Sequence, residues 1–497
     1  MKKFTITVIS LFMVLLISLS AVGEAMGTSP KYASNQDYIQ SENLALKDKS
    51  SKMTDGKDSS VYRFKTRNGG EAVIDLGESC DFNCVILKEK GLNVQEFTIS
   101  VSDDNENFTQ IYANDKIEFH RFCTFDTVKA RYVKLTVEKS DNLPKIREME
   151  IYNAVPEKKN DFRVSTYSTL GGSVFGIIDD TTLSDAEKDA KIKELIDADY
   201  YDTVTDYIDI GNVRWDEEGI IHTDGWDGIE RDEDKYYAVM MRNLHEVLDE
   251  KGVNLVITIL NPSGENGNQR VMKSITENRD TLITNMIAFA NKYEFDGIDL
   301  DWEFPLSQDE FDAYNSFLQE LKARMKTEMW NKEDATLSLA LATWALKYTP
   351  ETIECIDYVN VMGYDILDQD GQHSSFFSSC VQAADYIEIQ GFSKEQINIG
   401  FPFYGTWEDG RMEQYAYNAI SEEISPFNNF YTMKKSDTKE DRYTYFNSQA
   451  IIRDKTAYAY LKGYGGVMIF SQYCDLPSDD ERSLTKAISD YLQEVTK

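Results

Sequence analysis

Hydrophobic positions in the first third of the chain alternate with polar ones, in short runs that end at turns. Such runs lie at residues 97–101, 130–137 and 148–152, and none of them has the three-to-four-residue spacing of a helix. Alternation with a period of two is typical of strands that bury one face. The pattern predicts an all-β sandwich of the jelly-roll type over residues 29–155.

Beyond residue 162 the pattern changes to apolar runs separated by segments with helical spacing. The eight runs lie at residues 162–167, 207–213, 254–260, 295–302, 337–341, 358–362, 397–401 and 466–470. Helical spacing is clear at 237–248 and 311–321, and a capping box at Ser307 and Glu310 precedes the second of these. Eight buried strands that alternate with helices predict an α/β fold, the (β/α)8 TIM barrel, over residues 162–497.

A short polar segment at residues 156–161 separates the two patterns. It reads PEKKND and lacks a large apolar side chain. Polar segments of this kind commonly link domains that fold by themselves. We therefore expect two separable cores, such that a chain beginning near Lys158 folds without the sandwich.

The first 25 residues have the three parts of a secretory signal peptide. Lys2 and Lys3 precede an apolar stretch at 6–19, and small residues follow at 21–25. This arrangement predicts cleavage after Ala25 and a secreted, extracellular protein without membrane insertion after cleavage. The alternative is an uncleaved anchor, because the apolar stretch approaches the ~20 residues that span a bilayer.

The charge balance limits the partners of the protein. Lys and Arg number 52 against 86 Asp and Glu, which gives a formal net charge of −34. A chain this acidic lacks the basic surface of a nucleic-acid binder, and polyanions repel it. A neutral polysaccharide is compatible with this charge, and nucleic acid is not an expected partner.

The cysteine content gives no sign of a disulfide scaffold or a metal site. The chain has six cysteines without CxxC spacing and only four histidines, so a zinc site is not expected. We expect buried free thiols, with Cys80–Cys84 as the candidate for a single local bridge. We expect no cofactor for catalysis.

Three carboxylates occupy alternate positions in the fourth apolar run. Asp299, Asp301 and Glu303 are separated by Leu300 and Trp302, so an extended strand places the acids on one face, each ~6.6 Å from the next. Barrel active sites lie at the carboxyl ends of the strands, which makes Glu303 the outermost acid. Burial and mutual repulsion raise the pKa of at least one acid, as a general acid requires. The alternatives are a solvated acidic strand and a magnesium site.

The segment 296–303, DGIDLDWE, resembles the DxxDxDxE signature of family 18 glycoside hydrolases, the chitinase family. Three later segments resemble the sixth, seventh and eighth strands of that family, namely 361–365 (VMGYD), 400–405 (GFPFYG) and 465–470 (GGVMIF). The resemblance extends from about residue 162 to the C-terminus. It implies hydrolysis of glycans that contain N-acetylglucosamine, with net retention, which is an exception to the two-carboxylate scheme.

The roles known in that family are carried over at the matching positions. The resemblance implies that Glu303 protonates the glycosidic oxygen and that Asp301 orients the 2-acetamido group, which itself attacks the anomeric carbon. It implies that Asp299 exchanges a proton with Asp301, that Tyr364 binds the acetamido oxygen, and that Asp296 supports the strand. The implied substrate-binding residues are Met362, Asp365, Phe470 and Tyr404, with core packing an equal alternative for Met362.

Two departures from the family bear on the substrate. Phe470 stands where the family usually has tryptophan, and the third strand ends in 258–261 (TILN) instead of Ser-x-Gly-Gly. The expected substrates are chitin or chito-oligosaccharides, and the alternative is an endo-β-N-acetylglucosaminidase that acts on the chitobiose cores of N-glycans. A non-catalytic chitinase-like lectin is the alternative from another class. Aromatic residues that either bind further sugars or belong to the core are Trp344, Trp407, Tyr167 and Trp215.

The N-terminal region resembles discoidin domains, also called coagulation factor type C domains, whose bacterial versions bind carbohydrate. The matching segments are 75–77, 102–104, 130–135 and 146–149. The segment 55–58 (DGKD) together with Glu148 resembles the structural calcium site of that fold, with Asp55 and Glu148 as ligands. The alternative is an ordinary Asp-Gly turn.

Overall fold

The computed structural model describes residues 39–496, apart from 49–50, 160, 198–201, 225–228, 230, 344–345, 368–372, 375–376, 408–414, 421–423, 435–440 and 478. The predicted signal peptide at 1–25 lies outside the described residues. Within them, no helix is both long enough and apolar enough to span a bilayer.

The N-terminal part is an all-β unit with its own apolar core. Its six antiparallel strands are β1 (Tyr62–Arg63), β2 (Gly70–Glu89), β3 (Val94–Ser102), β4 (Thr109–Asn114), β5 (Arg121–Ser140) and β6 (Lys145–Tyr152). They are arranged in the order β1-β6-β2-β5-β3-β4. Alternate side chains, among them Ile74, Phe97 and Val133, are buried in this core. The all-β prediction is confirmed.

The second part contains a closed barrel of eight parallel strands. The strands that follow β6 are β7 (Arg163–Ser168), β8 (Asp206–Trp215), β9 (Ile221–His222), β10 (Asn254–Leu260), β11 (Gly297–Leu300), β12 (Thr336–Leu341), β13 (Tyr358–Val361), β14 (Ile366–Leu367), β15 (His373–Ser374), β16 (Ile397–Pro402), β17 (Tyr404–Trp407), β18 (Tyr415–Ala416), β19 (Phe430–Lys434), β20 (Asp441–Tyr445) and β21 (Gly466–Phe470). The barrel order is β7-β8-β10-β11-β12-β13-β16-β21, and pairing of β21 with β7 closes it. Each predicted apolar run overlaps one barrel strand, so the (β/α)8 prediction is confirmed.

Helices follow most of the barrel strands. They are α1 (Gly171–Asp179), α2 (Asp185–Asp197), α3 (Tyr237–Lys251), α4 (Gly267–Thr276), α5 (Arg279–Lys292), α6 (Gln308–Glu328), α7 (Pro350–Cys355), α8 (Phe377–Ile389), α9 (Tyr417–Ile420), α10 (Gln449–Lys462) and α11 (Leu484–Thr496), with short 3-10 helices at Leu44–Lys47, Lys332–Asp334, Lys394–Gln396 and Gln472–Cys474. Helix α6 begins at the predicted capping box. The Glu310 N–H donates to Ser307 Oγ at 3.2 Å, and the Ser307 N–H donates to Glu310 Oε2 at 2.8 Å.

The sandwich and the barrel share a buried interface. Phe122 of β5 stacks on Phe377 at the start of α8, with the ring centroids 6.0 Å apart. Beside this pair, Asp454 of α10 accepts hydrogen bonds from the Thr124 N–H at 2.7 Å and the Tyr112 hydroxyl at 2.6 Å. Apolar and charged side chains from both parts are buried together here, so the two parts support each other at this interface. That each core folds without the other stays a prediction.

The polar segment between the two parts is also held in place. The Lys159 N–H donates to the hydroxyl of Tyr460 on α10 at 2.7 Å, and Lys159 Nζ donates to the Tyr464 carbonyl at 3.2 Å. A segment tied to the barrel in this way does not act as a free hinge.

All six cysteines are free thiols, so the expected Cys80–Cys84 bridge is wrong. Both residues lie in strand β2. Four residues of extended strand span roughly 13 Å, whereas the Cα atoms of a disulfide lie within about 7 Å of each other.

Candidate active site

The row of carboxylates lies at the carboxyl end of β11. Asp299 is the last residue but one of this strand, and Asp301 and Glu303 follow its last residue, Leu300. The strand therefore ends two residues earlier than the apolar run predicted, because the chain leaves the sheet and turns toward α6. Trp302 is still buried in the core outside the barrel.

The Asp299 carboxylate is fully buried and accepts three hydrogen bonds from hydroxyl groups. Ser338 donates to Oδ1 at 2.6 Å, and Thr258 and Tyr167 donate to Oδ2 at 2.8 and 3.0 Å. Burial raises the pKa of Asp299, and the three hydrogen bonds oppose that rise. No cation is among these partners, so hydroxyl dipoles alone stabilise the charge of this acid.

Asp301 lies between the other two acids, and its carboxylate is less fully hydrogen-bonded than that of Asp299. Its Oδ1 is buried without a hydrogen-bond partner in the described part of the chain. Burial raises the pKa of Asp301 well above its usual range, and the charges of Glu303 and Asp299 raise it further. A proton on Asp301 relieves this repulsion.

Glu303 is the outermost acid of the row and is partly exposed. Burial, followed by the nearby charge of Asp365, raises the pKa of Glu303 to about 7. A carboxyl group with such a pKa can donate a proton to a leaving group near neutral pH.

Four of the predicted substrate-site residues lie together beside these acids. The rings of Tyr364 and Phe470 are stacked, with centroids 5.8 Å apart, and the Tyr404 ring is edge-on to both at 6.2 Å. The Tyr404 hydroxyl donates to Asp365 Oδ1 at 2.8 Å. The aromatic rings form an apolar wall, of the kind on which sugar rings stack, next to the carboxylates.

Gly400 allows this wall to form. A Cβ atom at this position would lie 2.3 Å from the Val361 carbonyl oxygen and 3.1 Å from the Tyr364 ring. Any larger residue would therefore push β13 away from β16, and with it Tyr364.

Met362 and Asp296 have separate positions. Met362 follows β13 directly, is half-buried, and donates its N–H to the Leu341 carbonyl at 2.9 Å, so its substrate role stays a prediction. Asp296 lies at the opposite end of β11 from Glu303, where its Oδ2 accepts the Leu255 N–H at 2.8 Å. This bond ties the starts of two neighbouring strands together.

The predicted sugar-binding aromatic residues differ in where they lie in the structure. Trp215 is 1% exposed and donates its indole N–H to Ser274 at 3.0 Å, so it belongs to the core. Tyr167 is buried in the site, and its hydroxyl contacts Asp299. Trp344 and the side chain of Trp407 lie outside the described residues.

The donors Thr258 and Ser338 were not predicted as parts of the site. Each is a small polar residue inside a strand that is otherwise apolar after its first residue, β10 and β12 respectively. That pattern is a usable signal, because a polar side chain in a buried strand needs a polar partner.

The predicted calcium ligands lie close together in the sandwich. The Lys57 N–H donates to both Asp55 Oδ1 and Glu148 Oε1, at 3.0 and 2.7 Å. Burial raises the pKa of Glu148 to about 8, and the neighbouring Asp55 carboxylate adds to this rise. In the described chain no group of three or more His, Cys, Asp or Glu side chains could hold a metal, so a cation here would also need hydroxyl and carbonyl ligands.

Such oxygens are present around Ser60. Its Oγ lies 2.9 Å from the Lys52 carbonyl oxygen, 2.9 Å from Asp55 Oδ1 and 3.2 Å from the Lys57 carbonyl oxygen. A hydroxyl carries one proton, so two of these three oxygen–oxygen approaches lack one. Calcium binds six to eight carboxylate, carbonyl and water oxygens, and the cluster supplies carboxylate and carbonyl oxygens of this kind.

Two protein-family models match the chain. Residues 240–475 match the model described as Glycosyl hydrolases family 18, and residues 32–149 match the model described as F5/8 type C domain. The first range includes the whole carboxylate row together with Tyr364, Asp365, Tyr404 and Phe470.

The chain is also similar to several curated proteins over part of its length. It is 38% identical over 104 residues to "Killer toxin subunits alpha/beta" of Kluyveromyces lactis, covering 18% of this chain and 9% of that protein. It is 27% identical over 159 residues to "Probable endochitinase" of Caenorhabditis elegans, covering 27% of this chain and 25% of that protein. The chain thus spans a quarter or less of the length of these two relatives.

Among solved structures, a family 18 chitinase from the chitin utilization locus of Flavobacterium johnsoniae is similar with a TM-score of 0.50 and 21% identity. The alignment covers 68% of this chain and 96% of that one. At this identity the likeness shows the fold alone, and it agrees with the closed barrel described above.

Proposed function

We propose, on the premise that residues 240–475 carry a domain of glycosyl hydrolase family 18 and residues 32–149 an F5/8 type C domain, that this protein hydrolyses β-1,4 linkages of N-acetylglucosamine-containing glycans. Chitin and chito-oligosaccharides are the substrates, and the configuration at the anomeric carbon is retained. The relative from Caenorhabditis elegans, described as a probable endochitinase, supports this substrate class. The protein is secreted after removal of residues 1–25 and acts outside the cell.

Glu303 is the general acid of this reaction. Its pKa of about 7 keeps a substantial share of the carboxyl group protonated at neutral pH, where an unperturbed glutamate is almost fully ionised. The proton passes to the glycosidic oxygen as the bond to the anomeric carbon breaks. The row of Asp299, Asp301 and Glu303 at the carboxyl end of strand β11, with Glu303 outermost, is the observation that carries the proposal.

The nucleophile is the 2-acetamido group of the substrate. Its carbonyl oxygen attacks the anomeric carbon and forms a cyclic oxazolinium, which water then opens. Asp301 Oδ1 has no partner among the described residues, so it is suited to accept the acetamido N–H. Tyr364 hydrogen-bonds the acetamido oxygen, and the ring of Phe470 packs against the sugar.

A pair of aryl glycosides tests this mechanism. An aryl β-chitobioside should be cleaved, and an aryl β-cellobioside, which has a hydroxyl in place of the acetamido group, should not. The missing group removes an intramolecular nucleophile whose effective molarity can reach ~10⁵ M or more. Comparable rates on both substrates, or a covalent glycosyl ester on an Asp or Glu side chain, would overturn the mechanism.

A second candidate is an endo-β-N-acetylglucosaminidase that cuts the chitobiose core of N-glycans. Phe470 favours it, because a phenyl ring offers less stacking area than the tryptophan usual in chitinases and has no N–H donor. Mass spectrometry of the products from chitohexaose and from a high-mannose glycoprotein, incubated in parallel, separates the two activities. Binding of either glycan without turnover would point to the lectin alternative.

The sandwich has a supporting role in this proposal. It binds carbohydrate, and Asp55, Ser60 and Glu148 together with the Lys52 and Lys57 carbonyls would hold a structural calcium ion. Two observations support the ion: two of the three oxygen contacts of the Ser60 hydroxyl have no proton between the oxygens, and the Asp55 and Glu148 carboxylates lie close together. It would supply positive charge to two acids that otherwise repel each other.

A further inference from the structure

The sandwich also contacts a small sheet that extends from the carboxyl end of the barrel. This small sheet has the strand order β18-β17-β20-β19, and β17 begins at Tyr404, just after barrel strand β16 ends. Phe427, which precedes β19, packs against the sandwich core, with its ring 5.8 Å from that of Tyr112. Ala450 of α10 is buried in the same core. The segment that leads into β19 therefore lies on the sandwich.

Asn429, the last residue before β19, is the polar centre of this contact. It is 2% exposed, and its Nδ2 donates to Asn114 Oδ1 and to Asp115 Oδ1 of the sandwich, both at 2.7 Å. Its Oδ1 accepts the Ser448 N–H at 3.0 Å, and its carbonyl oxygen accepts the Phe446 N–H at 2.9 Å. A backbone N–H only donates and a carboxylate only accepts, so the side-chain amide has one orientation, with its nitrogen toward the sandwich.

The small sheet connects this contact with the wall of the active site. Strand β20 pairs with β19 on one side and with β17 on the other. Gly405 of β17 lies so close to β20 that a Cβ atom there would be 2.6 Å from Thr444 Cγ2 and 2.9 Å from the Tyr445 carbonyl oxygen. The preceding residue, Tyr404, donates its hydroxyl to Asp365 Oδ1 at 2.8 Å. Because closely packed groups transmit displacement, a shift of β20 moves Tyr404.

We propose that Asn429 is a positioning residue, which fixes the hydrogen bond between Tyr404 and Asp365 by tying the small sheet to the sandwich. This inference rests on the proposed function. Without the two donor contacts of Asn429, β19 is no longer held on the sandwich, and the small sheet shifts as a unit. The Tyr404 hydroxyl then leaves Asp365, which adjoins the outermost acid of the row. The sandwich is thus a structural part of the active site.

The rival explanation is that Asn429 only stabilises the interface between the two parts of the molecule. Asn429→Ala removes both donor contacts, and Asp115→Ala removes one acceptor on the sandwich side. Asp115→Asn keeps an oxygen at that place and should restore the contact. The matched control is Thr124→Val, because Thr124 Oγ1 donates to Asp454 of α10 at 2.8 Å, which is a contact of the same interface outside the small sheet.

The first measurement is a double-mutant cycle on kcat/KM for a soluble aryl β-chitobioside. Tyr404→Phe should lose about tenfold, as expected for one hydrogen bond to a charged group. Asn429→Ala should lose about fivefold, mainly in kcat, because misplacement of a group in the site lowers turnover. In the Tyr404→Phe background, Asn429→Ala should cost less than about twofold, since the bond it supports is already absent.

The remaining variants complete this test. Asp115→Ala should lose activity in the same direction as Asn429→Ala, whereas Asp115→Asn and Thr124→Val should match the parent protein. Additive losses in the double variant would overturn the proposal, and so would an equal loss in Thr124→Val, which would show an effect of interface stability alone.

The second measurement does not depend on activity. Amide hydrogen exchange of the full-length chain reports local opening. Peptides that cover β17 should exchange at least ~3-fold faster in Asn429→Ala than in the parent protein, and Thr124→Val should leave their exchange unchanged. Unchanged exchange of β17 in Asn429→Ala would overturn the role of Asn429. Absence of turnover in the parent protein, together with faster exchange of β17 in Asn429→Ala, would instead overturn the proposed function.

Discussion

Arg121 of the sandwich and Asp454 of helix α10 form an ion pair across the interface between the two parts of the molecule. Arg121 Nη2 lies 3.2 Å from Asp454 Oδ2, and both side chains are fully removed from solvent. Thr124 and Tyr112 donate further hydrogen bonds to the same carboxylate. A buried pair of this kind holds its partners firmly, because separating them leaves each charge without compensation.

The interface should make the sandwich and the barrel unfold together. Asp454→Asn leaves the buried Arg121 guanidinium without the charge of its ion-pair partner, which should destabilise the protein by about 3–5 kcal/mol. The double variant Arg121→Met/Asp454→Leu should lose less than either single variant. Urea unfolding followed by circular dichroism and by tryptophan fluorescence measures both effects.

An exposed pair in the sandwich is the matched control for that experiment. Arg131 and Asp75 form an ion pair with side chains 40% and 42% exposed, so Asp75→Asn should cost no more than ~1 kcal/mol. Two separate unfolding transitions, with only one of them affected by Asp454→Asn, would contradict the coupling of the two parts.

Removal of the proposed acid should abolish most of the activity without loss of the fold. Glu303→Gln keeps the shape of the side chain but has no proton to donate, so kcat should fall at least ~10²-fold with substrate binding retained. The control is Glu320→Gln on α6, where the native side chain is 43% exposed. Near-parent turnover in folded Glu303→Gln would refute the assignment.

The pH profile should report the pKa of Glu303. This acid must be protonated to act, so kcat/KM should fall as pH rises through about 7. The charge of Asp365 contributes to that raised pKa, and in Asp365→Asn the acid should lose its proton at lower pH. The basic limb should therefore shift to lower pH in this variant. An unchanged basic limb would show that another group controls it.

Calcium should stabilise the sandwich and, through the shared interface, the whole chain. At a free concentration 100 times the dissociation constant, a bound ion adds about 2.7 kcal/mol, so chelation should lower the melting temperature. Asp55→Ala should abolish the calcium effect, whereas Asp58→Ala in the same loop, with a 66% exposed side chain, should keep it. Melting that is insensitive to both calcium and chelator would exclude the site.

Much of the architecture follows from local pattern. Alternation in residues 97–101 and the eight apolar runs from 162 onward correctly indicate strand β3 and the eight barrel strands, because burial of one or both faces of a strand is recorded in consecutive residues. The acid row was predictable for the same reason. Asp299, Asp301 and Glu303 are two residues apart, and the end of a barrel strand is where such groups meet substrate.

What the sequence alone determined is therefore the two fold classes, the acid row and the capping of α6, since each depends on residues within a few positions of one another. The tertiary structure alone decided which groups meet across long separations. Asp299 and Ser338 are 39 residues apart, and Arg121 and Asp454 are 333 apart. Their contacts depend on strand register and on domain docking, which arise only when the whole chain packs, and no local spacing encodes them.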